Sequence, residues 1–194
     1  MIQKGFTLVE LLIVIALLGV IALIVIAAIN PIEQANRARD TRFKADGSQM
    51  IAAGDRYFAS FNEFPWVTAG IATSNDASFG FVSASNEGAG ICGATCTVDG
   101  VLITSNELKT EFRNRDFVTA TAADAQLFIG KGQGTSQSIY ACFIPAAKAS
   151  RDKAIADGNV YTINQTNGTR SATTACDAAA ADWVTNGCYI CIPE

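Results

Sequence analysis

Histidine is absent from the 194 residues, and Asp, Glu, Lys and Arg together make up only 16% of them. Without an imidazole the chain cannot assemble a Ser-His-Asp triad, and no glycine-rich stretch leads into a lysine as a phosphate-binding loop requires. An enzyme is not expected. Acidic residues at the spacing of a calcium-binding loop are also missing, so no metal or other cofactor is expected. Fourteen basic residues against 18 acidic leave a formal charge of −4, which argues against a basic surface for nucleic acid. Charge is scarcest near the amino terminus: between Lys4 and Glu33 the sole ionisable side chain is Glu10.

That poverty of charge marks out Lys4-Gly5-Phe6-Thr7-Leu8-Val9-Glu10 and the apolar run that follows to Ile29. As a helix, Phe6 to Ile29 would extend about 36 Å, against roughly 30 Å of bilayer hydrocarbon. An ordinary secretory signal places its small-residue cleavage site after the apolar core, whereas here Lys4 and Gly5 precede it. Cleavage after Gly5 would leave the hydrophobic helix on the mature protein. A carboxylate within a membrane helix costs about a few kcal/mol unless it is paired, so Glu10 demands a partner.

These residues resemble the class III signal of type IV pilins and of the pseudopilins of type II secretion, and the likeness covers roughly the first 45 residues. The resemblance implies that a prepilin peptidase cuts between Gly5 and Phe6 and methylates the new amine of Phe6. It also implies that Glu10 neutralises the amino terminus of an adjacent subunit and so serves assembly. Pairing with the chain's own terminal ammonium is the alternative, since residues four apart share a helix face. The implied function is a structural subunit of a type IV pilus-like filament, or else a pseudopilin or minor pilin of a type II secretion or DNA-uptake machine. The implied partners are further copies in a helical filament, the peptidase, an assembly ATPase and an inner-membrane platform protein. The precursor would be a single-pass membrane protein and the assembled form extracellular. A membrane-anchored binding domain that never polymerises would leave Gly5 and Glu10 without a role. Some pseudopilins of the family bind calcium near the carboxyl end, but Asp177 and Asp182 are too few donors to carry that over.

The boundaries expected are a leader over 1–5, a membrane and assembly helix over 6–29, its amphipathic continuation over 30–61, and an extracytoplasmic domain over 62–194. Gly19 and Pro31 are the expected weak points of the helix, with loss of regular hydrogen bonding between them on assembly. From Ile32 to Phe61 the apolar residues Ile32, Ala35, Phe43, Met50, Tyr57, Phe58 and Phe61 recur at helical spacing. Arg37, Asp40, Lys44 and Asp55 then fall on the solvent face, with Glu33–Arg37 and Asp40–Lys44 as i,i+4 pairs. Gly47 and Gly54 would weaken this helix but admit another element closely. Pro65 ends it, and a linking loop runs to Gly90, with Phe79-Gly-Phe-Val as a possible edge strand. Strands are expected over 97–104, 126–130, 138–144, 159–164 and 187–192, and a helix over 105–113 with Thr104 as its cap. The fold class is α+β: a long helix, membrane-spanning and then amphipathic, carrying an antiparallel sheet domain in the pilin-like manner.

Six cysteines in a chain with an export signal read as disulfides. An all-cysteine zinc site from Cys92, Cys96, Cys188 and Cys191 is the alternative. In a strand, Cys188 and Cys191 point to opposite faces and should bond different partners. The pairing favoured is Cys142 with one of them and Cys176 with the other, leaving Cys92–Cys96 as a short staple. The Cys-x-x-Cys spacing resembles a redox motif, but Tyr189 and Ile190 are strand formers and Pro193 follows, so the required helix is not expected. Asn164-Gln-Thr166 and Asn167-Gly-Thr169 match a glycosylation pattern and are read as a turn.

Overall fold

The computed structural model describes residues 6–28 and 30–194 and divides into two compact units between Ala35 and Asn36. In chain order the elements are α1 (Leu8–Ala28), α2 (Pro31–Phe61), α3 (Pro65–Thr68), β1 (Phe79–Ser83), α4 (Val101–Thr104), α5 (Asp116–Thr119), β2 (Leu127–Lys131), β3 (Ile139–Phe143), α6 (Lys148–Asp157), β4 (Tyr161–Ile163), β5 (Arg170–Ala172), α7 (Ala180–Thr185) and β6 (Ile190–Ile192). Four strands form an antiparallel sheet in the order β1-β2-β3-β6, and β4 pairs β5 as a separate hairpin. The architecture is the α+β, pilin-like one.

In the larger unit the sheet is buried on both faces. Leu127, Ile129, Ile139, Ala141 and Phe143 join Phe43, Met50, Ala53 and Tyr57 of α2 in one core. Phe128, Cys142 and Ile190 face the other way, into a second core with Ile144, Ala154 and Trp183 from the α6 and α7 side. The alternation follows from the pleat, which sends successive side chains to opposite faces. Close approach on the first face rests on two glycines of α2. A Cβ at Gly47 would meet the Ala141 Cβ at 3.0 Å, and one at Gly54 would meet Ile139 Cδ1 at 2.9 Å. At the far end of α2, the rings of Phe58, Phe64, Trp66 and Phe79 stack in a column at centroid spacings of 4.4, 4.7 and 4.6 Å.

Three expectations are corrected here. Residues 97–104 are not a strand: Cys92 and Asp99 share a single bridge, and Val101–Thr104 is a helical turn. Nor does a helix follow from Ser105. Asn106 sits at φ 62, its N–H donates to Ile103 O, and the Glu107 N–H donates to Leu102 O, which is a Schellman stop with asparagine in the left-handed position. Thr104 therefore closes a turn, bonding back to the Gly100 and Val101 carbonyls, and does not cap a new helix. Finally, Asp40 is buried and does not pair with Lys44, which reaches Glu194 at 3.2 Å. The Asp40 carboxylate accepts from the Ala146 and Ala147 N–H groups at 2.9 and 3.0 Å, capping α6 from a distant part of the chain. Arg151 of α6 closes the same corner, donating to the carbonyls of Pro145, Ala146 and Ala178.

Candidate functional site

The amino-terminal unit carries the residues that the sequence singles out. Thr7 precedes the first turn of α1, and its carbonyl accepts from the Leu11 N–H at 3.2 Å. The Glu10 carboxylate accepts from the Thr7 N–H at 2.9 Å and from the Thr7 hydroxyl at 2.7 Å, while the Glu10 N–H donates to Thr7 Oγ1 at 3.2 Å. This reciprocal arrangement is a capping box, and it sets a negative group at the positive end of the helix dipole. The spacing Thr-x-x-Glu is that motif in the sequence.

From Leu8 to Ile26, α1 is long and apolar enough to cross a membrane, and none of that stretch is buried. Its apolar side chains are exposed around the whole circumference, from Leu8 through Ile15 and Leu18 to Ile26. A helix apolar all round has no preferred wet face; it is satisfied in lipid or among other helices. Gly19 lies within α1, which is regular through it, and a Cβ there would meet nothing within 4 Å. Pro31 is the first residue of α2, where Asn30 caps it by accepting from the Glu33 N–H at 3.2 Å. Proline at this first position needs no donor and has a helical φ already. Gly5, on the leader side of the expected cut, lies outside the described residues, as does Ile29; Phe6 is described and exposed.

In the larger unit all six cysteines are bonded. Cys142 joins Cys191 directly across the β3–β6 register, Cys176 joins Cys188 around α7, and Cys92 joins Cys96. None of the six thiols is free in this arrangement. Besides Asp40 and Arg151, two more charges are buried in this unit, Lys131 and Asp46. Lys131 donates from Nζ to the carbonyls of Asn75, Gly132 and Gly134 and lies over the Phe64 ring; burial pushes its pKa down. Burial likewise raises the pKa of Asp46, opposed by Arg115 and Arg42. A groove of about 760 Å³ runs between the outer face of α2 and residues 107–115, and within it Arg56 and Glu107 pair at 2.8 Å.

An exposed apolar helix opened by a threonine-glutamate cap, with a disulfide-bonded antiparallel sheet domain carried on α2, resembles the type IV pilins and pseudopilins. Comparison with known proteins agrees: residues 1–26 match the prokaryotic N-terminal methylation motif. The chain is also a distant homologue of a fimbrial protein of Neisseria meningitidis serogroup A / serotype 4A (strain DSM 15465 / Z2491), with 31% identity over 109 residues. That alignment covers 55% of this chain and 61% of the fimbrial protein, so the chain spans about three-fifths of its relative. No solved structure is significantly similar.

Proposed function

We propose that the protein is a structural subunit of a type IV pilus-like filament, made as a single-pass membrane precursor and cut by a prepilin peptidase between Gly5 and Phe6. The observation that carries this is α1 itself: 19 residues of apolar helix with no part buried, carrying Glu10 in its first turn and lying within the matched methylation motif of residues 1–26. Such a surface is satisfied in the bilayer before assembly and by the same helix of other copies afterwards, which makes the helix the polymerisation element. Among its side chains, Glu10 alone can carry charge, so it is the group that can meet the terminal ammonium created by cleavage. In low-dielectric surroundings such a pair is far stronger than in water, and it fixes one axial offset between neighbours. The domain then faces outward, its fold held by disulfides suited to an oxidising exterior. The role is structural, and the energy of extraction from the membrane comes from a separate assembly ATPase acting through a platform protein.

Glu10→Gln tests this reading, because it keeps the size of the side chain and removes its charge. The variant is expected to insert in the membrane at wild-type levels and to yield few or no filaments. Abundant filaments of normal length containing the variant, identified by mass spectrometry, would contradict the role given to Glu10.

A further inference from the structure

Of the three disulfides, one reaches the surface. Cys142, Cys188 and Cys191 are wholly buried and Cys176 is 6% exposed, whereas Cys96 lies in an exposed run from Ala94 to Val98; its partner Cys92 is inside, at 0%. We infer that Cys96 is a thiol-exchange site: a small external thiol attacks its Sγ and opens the Cys92–Cys96 bond in the folded protein, leaving the domain intact.

Thiol–disulfide exchange needs access to one of the two sulfurs, and the burial of Cys92 decides which is attacked. The incoming thiolate bonds to Cys96 Sγ, the bond between the two cysteines breaks, and Cys92 leaves with the electron pair and takes up the proton that the incoming thiol gave up. The product is a mixed disulfide on Cys96 and a thiol on Cys92. Return attack by Cys92 reverses the step, while attack by a second small thiol leaves two cysteine thiols and the oxidised form of the small thiol. Neither of the other bonds offers such an approach. Cys142–Cys191 joins β3 to β6 in register, so a thiol reaches it only when those strands part, and Cys176–Cys188 lies in the core with Trp183.

The fold also protects Cys92–Cys96 least. It spans a separation of 4 residues, against 12 and 49 for the others, and a bond that adds least to the stability of the fold is in return stabilised least by it. Opening stays local because the loop has other ties. The Gly93 N–H donates to Val98 O at 2.9 Å and the Gly100 N–H to Ile91 O at 2.8 Å, while Arg113 donates to Thr97 O at 2.9 Å and pairs with Asp99 at 2.8 Å. These contacts keep Cys92 close enough to close the ring again.

The test uses the full chain in detergent with reduced glutathione as the probe, alkylation to stop the reaction and peptide mapping to place each adduct. Cys92–Cys96 is expected to open about tenfold faster than either other bond, with glutathione on Cys96, the alkyl group on Cys92 and tryptophan fluorescence unchanged. Two variants separate the sulfurs. Given oxidised glutathione, Cys92→Ser, which frees the exposed Cys96, is expected to take up one glutathione about tenfold faster than Cys96→Ser, which frees the buried Cys92. Opening of Cys142–Cys191 or Cys176–Cys188 at an equal rate, glutathione on Cys92 of the wild type, loss of native fluorescence in step with opening, or equal uptake by the two variants would each overturn the assignment.

Discussion

Asp40→Ala is expected to be among the most damaging single changes in the larger unit, although α2 itself would form without Asp40. The carboxylate is 2% exposed, and it is the side-chain cap of α6, whose flanking residue Ala147 has no oxygen to offer. Truncation strips acceptors from the Ala146 and Ala147 N–H groups and leaves the Arg39 guanidinium, 3.5 Å away, without its anion. Hydrogen bonds to a charged group contribute about 1.5–3 kcal/mol each, and removing one side of a buried charged contact costs about 3–5 kcal/mol. Asp40→Ala should therefore lose about 4 kcal/mol. Asp40→Asn, which keeps one acceptor and turns an NH2 toward the second N–H, should lose about half of that. For a unit of this size each kcal/mol lowers Tm by about 2–4 °C, so the alanine variant should melt about 10 °C early. The assay is tryptophan fluorescence of the full chain in detergent against temperature and denaturant. Both tryptophans, Trp66 and Trp183, lie in the cores of this unit, so the signal does not report on α1. A loss under 1 kcal/mol for Asp40→Ala, or an asparagine variant as stable as wild type, would refute the reasoning.

Three further outcomes are expected. Opening the disulfides singly by Cys→Ala should destabilise in the order of the loops they close: about 4 kcal/mol for Cys142–Cys191, about 3 for Cys176–Cys188 and about 2 for Cys92–Cys96. The reverse order in denaturant titrations, or six free thiols in non-reducing peptide maps, would remove the claim. Because burial holds the pKa of Asp46 above its ordinary value of 3.8, the native state binds that proton more tightly than the unfolded one; the cost of burial is absent at low pH and grows as pH rises past 3.8. Wild type should thus lose stability relative to Asp46→Asn between acid and neutral pH, and a relative gain over that range would show that the Arg115 contact outweighs burial. Gly168→Ala should cost more than 3 kcal/mol, roughly, since φ is +64 and a Cβ would fall 2.1 Å from Lys131 O and 2.3 Å from Phe79 O; unfolding within 1 kcal/mol of wild type would count against that packing.

The sequence carried the parts of the fold that repeat a pattern or hold one long enough. The apolar run, the amphipathic period to Phe61 and the alternation around 127–131 and 139–143 each span several residues on a consistent face, and each became the element expected. Val101–Thr104 did not, because four apolar residues in a row suit a strand or a buried helical turn equally, and the choice was made by Leu102 and Ile103 burying into the α2 core. Helix α6 was missed for the opposite reason. Its buried residues are Arg151 and Ala154, while its larger apolar residue, Ile155, is partly exposed, so no hydrophobic stripe announces it. What holds α6 is Asp40, 107 residues before Ala147, and local sequence has no means of showing a cap supplied from so far away. At the site, Glu10 stood out because a charge in an apolar run is conspicuous; its bonded partner Thr7 was in the same motif and went unremarked as a cap.

The proposed filament role requires cleavage between Gly5 and Phe6 with the apolar helix retained. Surface filaments should be sheared from cells, purified, and their protein analysed for the intact mass of its amino-terminal peptide. The expected result is this chain as a filament component, beginning at Phe6 with a methylated amine and with α1 retained. Filaments without the chain, an intact Met1, or a cut beyond the apolar run would contradict the central claim.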